Sequence, residues 1–382
     1  MLSFSSFIRT YYQRPEEAIH LIETPVFGNE YKYIKECLDS QMVSTAGTLT
    51  DTFEQKVSEY TGSAYATATV SGTSALHLAL LAVGVQPDDW VITQPFTFVA
   101  TANAIRYLSA NPLFVDIDPD TLGLSARKLA EFLETAAEVD DQGTCRHRAT
   151  RRRIAACLPV HTFGHPTQID EIVSVCQRYG IPVVEDAAAG LGSQYQGKQV
   201  GTWGRAGVFS FNGNKIVTCG GGGAVVTDDP GLAERIRHLA TQAKVKEAFR
   251  STYDAVGYNY RMPSLNAALG LAQWENLDRM LAEKQRLATA YRTFFRKEGI
   301  TWVESPENAE SNYWLNAVLF PGEAKRDRFV QATNQQGIYT RSAWPLLHQL
   351  PMFTSEHHGN LERAAWVEKR LANLPSSIRH EY

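Results

Sequence analysis

Short runs of apolar and β-branched residues alternate along the first two thirds of the chain with longer stretches. In those stretches apolar positions recur every three or four residues. The short runs predict strands at 65–70, 90–93, 112–116, 154–160, 182–185, 206–210 and 223–227. Helical patterns fall between most of them, at 51–60, 73–84, 100–108 and 168–179. In 73–84 the residues Leu76, Ala79, Leu80 and Val83 form one apolar stripe. Strand–helix alternation at this spacing predicts an α/β fold with a largely parallel sheet covered on both faces. The pattern changes from about Leu232. Helical sequence runs to Ala240, and a loop follows with Gly257 and Pro263. Then come a long helical stretch at 264–297, a strand at 312–320, a helix at 326–336 and a strand at 337–340. The expected organisation is a loose arm at 1–20 without clear period, a large domain at 21–250 and a smaller α+β domain at 251–382.

Composition adds mostly exclusions. The 382 residues suit two domains, and 44% hydrophobic with 20% charged residues is enough apolar surface to fold. Lys plus Arg number 37 and Asp plus Glu 41, a net charge of −4, so no nucleic-acid partner is expected. The five cysteines form no CxxC pair, which suits a reducing compartment. The longest apolar run, 75–85, is too short to span a bilayer, and Arg9 and Arg14 interrupt any secretory core. The expectation is a cytoplasmic protein with no membrane partner. The basic run Arg146, Arg148, Arg151, Arg152 and Arg153 reads as a solvated loop, with an anion or partner contact as the alternative. His161 and His165 are four apart, but Gly164 and Pro166 break any helix between them. Asp116 and Asp118 read as a strand-end turn, so no metal is expected.

Three glycine-rich sites raise the question of phosphate binding. Gly220 to Gly223 lacks the Lys-Ser or Lys-Thr of a Walker loop, and Gly190-Leu-Gly192 lacks the third glycine of a dinucleotide fingerprint. Ser71-Gly72-Thr73-Ser74 follows the first strand and opens the striped helix. Free N–H groups and the positive end of a helix dipole meet there, although an ordinary N-cap would use the same residues. Glu185 and Asp186 end a buried strand at the edge where open α/β sheets bind ligands, and they point to opposite faces. Lys215 sits between a strand and the glycine run; by itself such a lysine is usually exposed. Together these groups are what pyridoxal 5'-phosphate requires. A lysine bonds the aldehyde, an acid keeps the pyridine nitrogen protonated, a helix N-terminus holds the phosphate and an aromatic ring covers the heterocycle. Phe96 and Phe98 follow the second strand.

Seven markers in order resemble the DegT-type sugar-nucleotide aminotransferases. They are Val70-Ser-Gly-Thr-Ser-Ala-Leu76, Phe96-Thr-Phe-Val-Ala-Thr101, Pro159-Val-His-Thr-Phe-Gly164, Val184-Glu-Asp-Ala-Ala188, Ser210-Phe-Asn-Gly-Asn-Lys215, Gly257-Tyr-Asn-Tyr-Arg-Met262 and Pro345-Leu-Leu-His348. The Ser210-to-Lys215 run, with Phe98 to Asn103, is most similar to the branch making 4-amino sugars for legionaminic acid or bacillosamine. The resemblance implies the aspartate-aminotransferase-like, type I fold with a seven-stranded, mostly parallel sheet. It implies Lys215 as the Schiff-base lysine and Asp186 as partner of the pyridine nitrogen. Gly72, Thr73, Ser74 and Ser210 would hold the phosphate, Phe98 would stack on the ring, and Asn259 would reach the phosphate of a partner subunit in a homodimer. His161, Arg341 and His348 match positions near the substrate. The implied reaction transfers the amino group of L-glutamate to a nucleotide-linked 4-keto-6-deoxy sugar, with a UDP-linked N-acetylhexosamine derivative expected. A same-fold enzyme aminating a 3-keto sugar, and a nicotinamide-dependent epimerase or dehydratase, are the alternatives. Ala189 departs from the family, which usually carries Gln, His or Glu there. Lys215 itself sets the chain apart from the dehydratase branch, which has histidine in its place.

Overall fold

The computed structural model describes residues 2–45, 47–245 and 249–379. Seven strands form the central sheet: β1 (Tyr65–Thr69), β2 (Trp90–Thr93), β3 (Asn111–Phe114), β4 (Ile154–Leu158), β5 (Val184–Asp186), β6 (Ala206–Ser210) and β7 (Gly223–Thr227). Their order is β3-β2-β4-β5-β6-β7-β1, with β4 joined to β5 through the parallel bridges Cys157–Val183 and Val160–Asp186. All run parallel except β7, which pairs antiparallel with both β6 and β1. The buried strands read as continuous apolar runs because both faces are covered. One face packs with Leu76, Leu80, Ile105 and Ile236, the other with Phe53, Leu129, Leu133 and Ile172. This is the expected type I architecture.

A smaller antiparallel sheet follows, ordered Thr301–Trp302, Asn316–Leu319, Leu371–Leu374, Arg341–Ser342. Several expectations change here. The stretch at 264–297 is two helices, Ser264–Trp274 and Leu277–Glu298. No glycine or proline marks the break. Glu275 instead turns its carboxylate to Asn29 (2.8 Å) and the Tyr33 hydroxyl (2.7 Å), so a tertiary contact sets the corner. The strand expected at 337–340 lies at Arg341–Ser342, and that at 312–320 shrinks to Asn316–Leu319.

The first residues are not loose. Leu2–Tyr12 is a helix whose Phe4, Ile8 and Tyr12, four apart, are buried. Phe4 packs on Tyr291 and Phe295 with ring centroids 6.3 and 5.7 Å away, and the Tyr12 hydroxyl donates to the Ser377 carbonyl at 2.8 Å. The arginine run flanks and forms part of a surface hairpin of Ala137–Val139 with Cys145–His147. Its cations meet local acids: Arg146 with Asp140 (2.8 Å), Arg151 with Glu138, and Arg153 with Asp89 (2.5 Å).

Candidate active site at the carboxyl edge of the sheet

The C-terminal ends of β1, β2, β4, β5 and β6 open onto one cavity of about 320 Å³. Loops and helix starts beyond these ends carry its polar groups, as in other open α/β sheets. Of the residues expected at the site, Gly72, Thr73, Phe98, His161, Asp186, Ser210, Lys215 and Arg341 line it. Ser74, Asn259 and His348 do not.

The floor is built from backbone. The Gly72–Ala82 helix starts over the junction of β6 and β7. A Cβ on Gly223 would lie 2.5 Å from the Ser71 carbonyl, and one on Gly72 would lie 2.9 Å from the Ser210 Cβ. Only glycine lets the helix start this close. Ser71 caps the helix, its hydroxyl accepting from the Ser74 amide at 3.0 Å and meeting the Ser74 hydroxyl at 2.9 Å. Ser74 is thus spent inside the cap. The amides of Gly72 and Thr73, in the first helical turn, have no intrahelical acceptor and remain for an anion, with Ser210 alongside.

Asp186 is buried at the end of β5. Its Oδ2 accepts from the Thr101 hydroxyl at 2.8 Å and its Oδ1 from the Ala188 amide at 3.1 Å. Burial nevertheless pushes its pKa up, a cost that the two hydrogen bonds and the Lys215 charge only partly offset. A cationic ring nitrogen would meet that need. Burial also lowers Lys215, to about 8, while Asp186 pulls the other way. A lysine near that value is partly neutral at physiological pH and able to attack an aldehyde. Phe98 is 55% exposed at the cavity wall, an apolar ring without cover, 6.0 Å from Trp344. These groups fit pyridoxal phosphate: a cradle for its phosphate, an acid for its nitrogen, an amine for its aldehyde and a ring for its face.

Glu185, pointing to the opposite face of β5, is saturated. It accepts from the amides of Gly201 (2.8 Å), Trp203 (2.6 Å) and Gly204 (2.8 Å) and from His161 Nε2 (3.0 Å). The other His161 nitrogen accepts from the Thr167 amide at 3.2 Å. His161 is therefore a fixed wall of the cavity, with no nitrogen left for substrate. Arg341 borders the mouth, its guanidinium 5.9 Å from the Trp344 ring. His348 lies in the turn Leu347–Gln349, beside His358 with ring centroids 5.1 Å apart. Asn259 is exposed, bridged to Thr241, and does not line this cavity.

Sequence reasoning missed Thr101, Trp314 and Trp344. Thr101 stood inside a quoted marker. The tryptophans arrive from the smaller sheet, and no local pattern announces them. A wider groove of about 660 Å³ includes Arg153 and Arg205, but both are paired, with Asp89 and Asp229 at 2.5 Å each. Among the described residues no group of His, Cys, Asp or Glu could hold a metal ion, and no helix is long and apolar enough to cross a membrane.

The model of the DegT/DnrJ/EryC1/StrS aminotransferase family matches residues 27–380. The chain is 38% identical over 336 residues to EpsN of Bacillus subtilis, which carries the name of a pyridoxal phosphate-dependent aminotransferase; the match covers 88% of this chain and 84% of that one. It is 36% identical over 355 residues to the GDP-perosamine synthase of Caulobacter vibrioides, covering 91% and 90%. The solved structure of DesI with its TDP-sugar product superposes with a TM-score of 0.83 at 29% identity, covering 98% of this chain and 92% of that one. TlmJ from Streptoalloteichus hindustanus gives 0.84 at 27%, covering 94% and 93%. The carboxyl-edge cavity and these likenesses agree: the chain belongs to the DegT/DnrJ/EryC1/StrS aminotransferase family and is a pyridoxal phosphate-dependent sugar aminotransferase of type I fold.

Proposed function

We propose that the protein moves the amino group of L-glutamate to a 4-keto-6-deoxy sugar carried on a nucleoside diphosphate, with a UDP-linked N-acetylhexosamine derivative as the acceptor. The observation that carries the reading is the placement of Asp186 and Lys215 on the walls of one cavity, although 29 positions separate them in sequence. The similarity of the Ser210-to-Lys215 run to the legionaminic acid and bacillosamine branch favours the UDP sugar. Relatives named for GDP- and TDP-sugars make those nucleotides the comparison to run beside it.

Pyridoxal phosphate, when bound, supplies a carbonyl that takes the amino group and a ring that accepts electrons from the bond being broken. The chain supplies the rest. The Gly72 and Thr73 amides with Ser210 hold the phosphate. Asp186, oriented by Thr101 and the Ala188 amide, keeps a proton on the ring nitrogen. Phe98 covers one face and excludes water. Lys215 Nζ would take the proton that leaves the α-carbon of glutamate and hold it for return, and it would give a proton to the former carbonyl carbon of the acceptor sugar in the second half of the reaction. A partner subunit in a homodimer would bring its own copy of the exposed Asn259 to the phosphate. A cytoplasmic location belongs to the same reading, since all five cysteines are free and buried.

The test is mass spectrometry of products from a panel of UDP-, GDP- and TDP-linked 4-keto sugars with glutamate. A 4-amino UDP sugar with matching 2-oxoglutarate is expected. No amination of any member, or amination at carbon 3, would overturn the reading.

A further inference from the structure

Lys215 Nζ makes no hydrogen bond or ion pair among the described residues. It rests instead on the indole of Trp314, 3.7 Å from the ring centroid. At that distance an ammonium feels the negative face of the ring, and the attraction grows when water is excluded. Trp314 is buried, with 5% of its surface exposed.

Trp314 is unusually well fixed. Its amide donates to Asn312 Oδ1 at 2.8 Å, its carbonyl accepts from Lys284 Nζ at 3.1 Å, and its indole Nε1 donates to the Asn214 carbonyl at 2.7 Å. Asn312 in turn donates to the carbonyls of Ala189 (2.8 Å) and Leu191 (2.7 Å). The residue is therefore tied at three points, two through its backbone and one through the indole, which is held by the residue just before Lys215. Ala189 and Trp314 both border the space around the lysine. The methyl group of Ala189 offers the amine no polar partner, and the indole face is the contact that remains.

We propose that Trp314 is the platform on which the free Lys215 amine rests, a positioning residue that keeps the nitrogen aimed into the cavity between covalent steps. The inference rests on the assignment of Lys215 as the lysine that captures the cofactor. Without the platform the four-carbon stem regains its rotamers, and ordering them again costs free energy at each capture. Capture joins the Lys215 nitrogen to the aldehyde carbon and releases one water, so no further reactant is needed.

The experiment follows capture of pyridoxal 5'-phosphate by cofactor-free protein through its absorbance. Pyridoxamine 5'-phosphate, which has no aldehyde, reports the integrity of the cavity. Trp314→Leu is expected to slow capture about tenfold or more while leaving pyridoxamine phosphate affinity within about twofold. Trp314→Phe, which keeps a ring face, is expected to recover most of the rate. Replacing the tryptophans by increasingly fluorinated analogues weakens the ring face without changing the fold. It should slow capture stepwise in the native chain and not in Trp314→Phe. Capture at the native rate in Trp314→Leu overturns the proposal, as does loss of pyridoxamine phosphate affinity in parallel with no rescue by Phe. Should the Leu variant not fold, a flat response to fluorination overturns it alone. Lys215→Ala separates the two ideas: capture persisting there would overturn the role of Lys215 itself.

Discussion

Two lysines lie in low-dielectric surroundings, and only one faces a cavity. Burial lowers Lys215 to about 8 and Lys284 to about 7. Lys284, on the long helix Leu277–Glu298, is enclosed and donates to the carbonyls of Trp314 and Ser376. Lys215 has an indole beneath it, Asp186 within electrostatic reach and open space in front. A lowered proton affinity thus says that an amine is desolvated, not that it reacts. Reactivity needs access and an opposing charge that keeps the proton exchangeable.

The largest expected effect comes from breaking the accessible member. Lys215→Ala should lower turnover by three orders of magnitude or more while the far-ultraviolet circular dichroism stays native. Near-native turnover would erase the distinction. Asp186→Asn comes next. Without a carboxylate the ring nitrogen loses its proton, and turnover should fall about a hundredfold or more, measured with saturating glutamate.

Labelling with a small amine-directed reagent then sharpens the contrast. In cofactor-free protein near pH 8, Lys215 should be modified several-fold faster than surface lysines, whose ordinary value is near 10.5. Lys284 should stay unlabelled although its proton affinity is lower still, which peptide mass spectrometry reads directly.

The smallest effect concerns stability. Below about pH 7 folded and unfolded chains both hold the Lys284 proton, and the burial cost is complete. Between about 7 and 10.5 the unfolded chain binds more protons than the folded one, so this lysine makes stability rise with pH. In holoenzyme, where the proposed bond to the cofactor would remove the Lys215 titration, Lys284→Met should flatten that rise in urea midpoints. It should also destabilise the fold by about 1–3 kcal/mol at pH 9, by stranding two buried carbonyls. An unchanged slope would mean that Lys284 is not the titrating group.

The contrast between these amines also marks how far the sequence could be read. The seven sheet strands were legible because most are short, largely buried apolar or β-branched runs bounded by turn residues, and β2, β6 and β7 fall where the pattern places them. Asp186 and Lys215 were legible because one ends such a strand and the other lies in the short turn beyond another. The helix at Leu2–Tyr12 carried its signal in the four-residue spacing of Phe4, Ile8 and Tyr12, which the intervening serines obscured. The corner at Glu275 and Asn276 carried none, since contacts from Asn29 and Tyr33 make it. Trp314, Trp344 and the Lys284 anchor were hidden for the same reason: the partners of Trp314 and Lys284 include residues 30 to 100 positions away, and Trp344 meets Phe98 and Phe163 from farther still along the chain. Ser74 looked like a ligand residue from its place in the motif, and the capping hydrogen bonds of Ser71 explain why it is engaged elsewhere.

The junction of Gly72 with Ser210 and of Gly223 with Ser71 leaves no room for a single added carbon. One side of the pocket is therefore frozen: under the proposed function, any mutation there strikes the means of gripping the vitamin. Drift toward a new sugar has to proceed through the mouth, where Arg341 and Trp344 can change size or charge without touching the phosphate cradle.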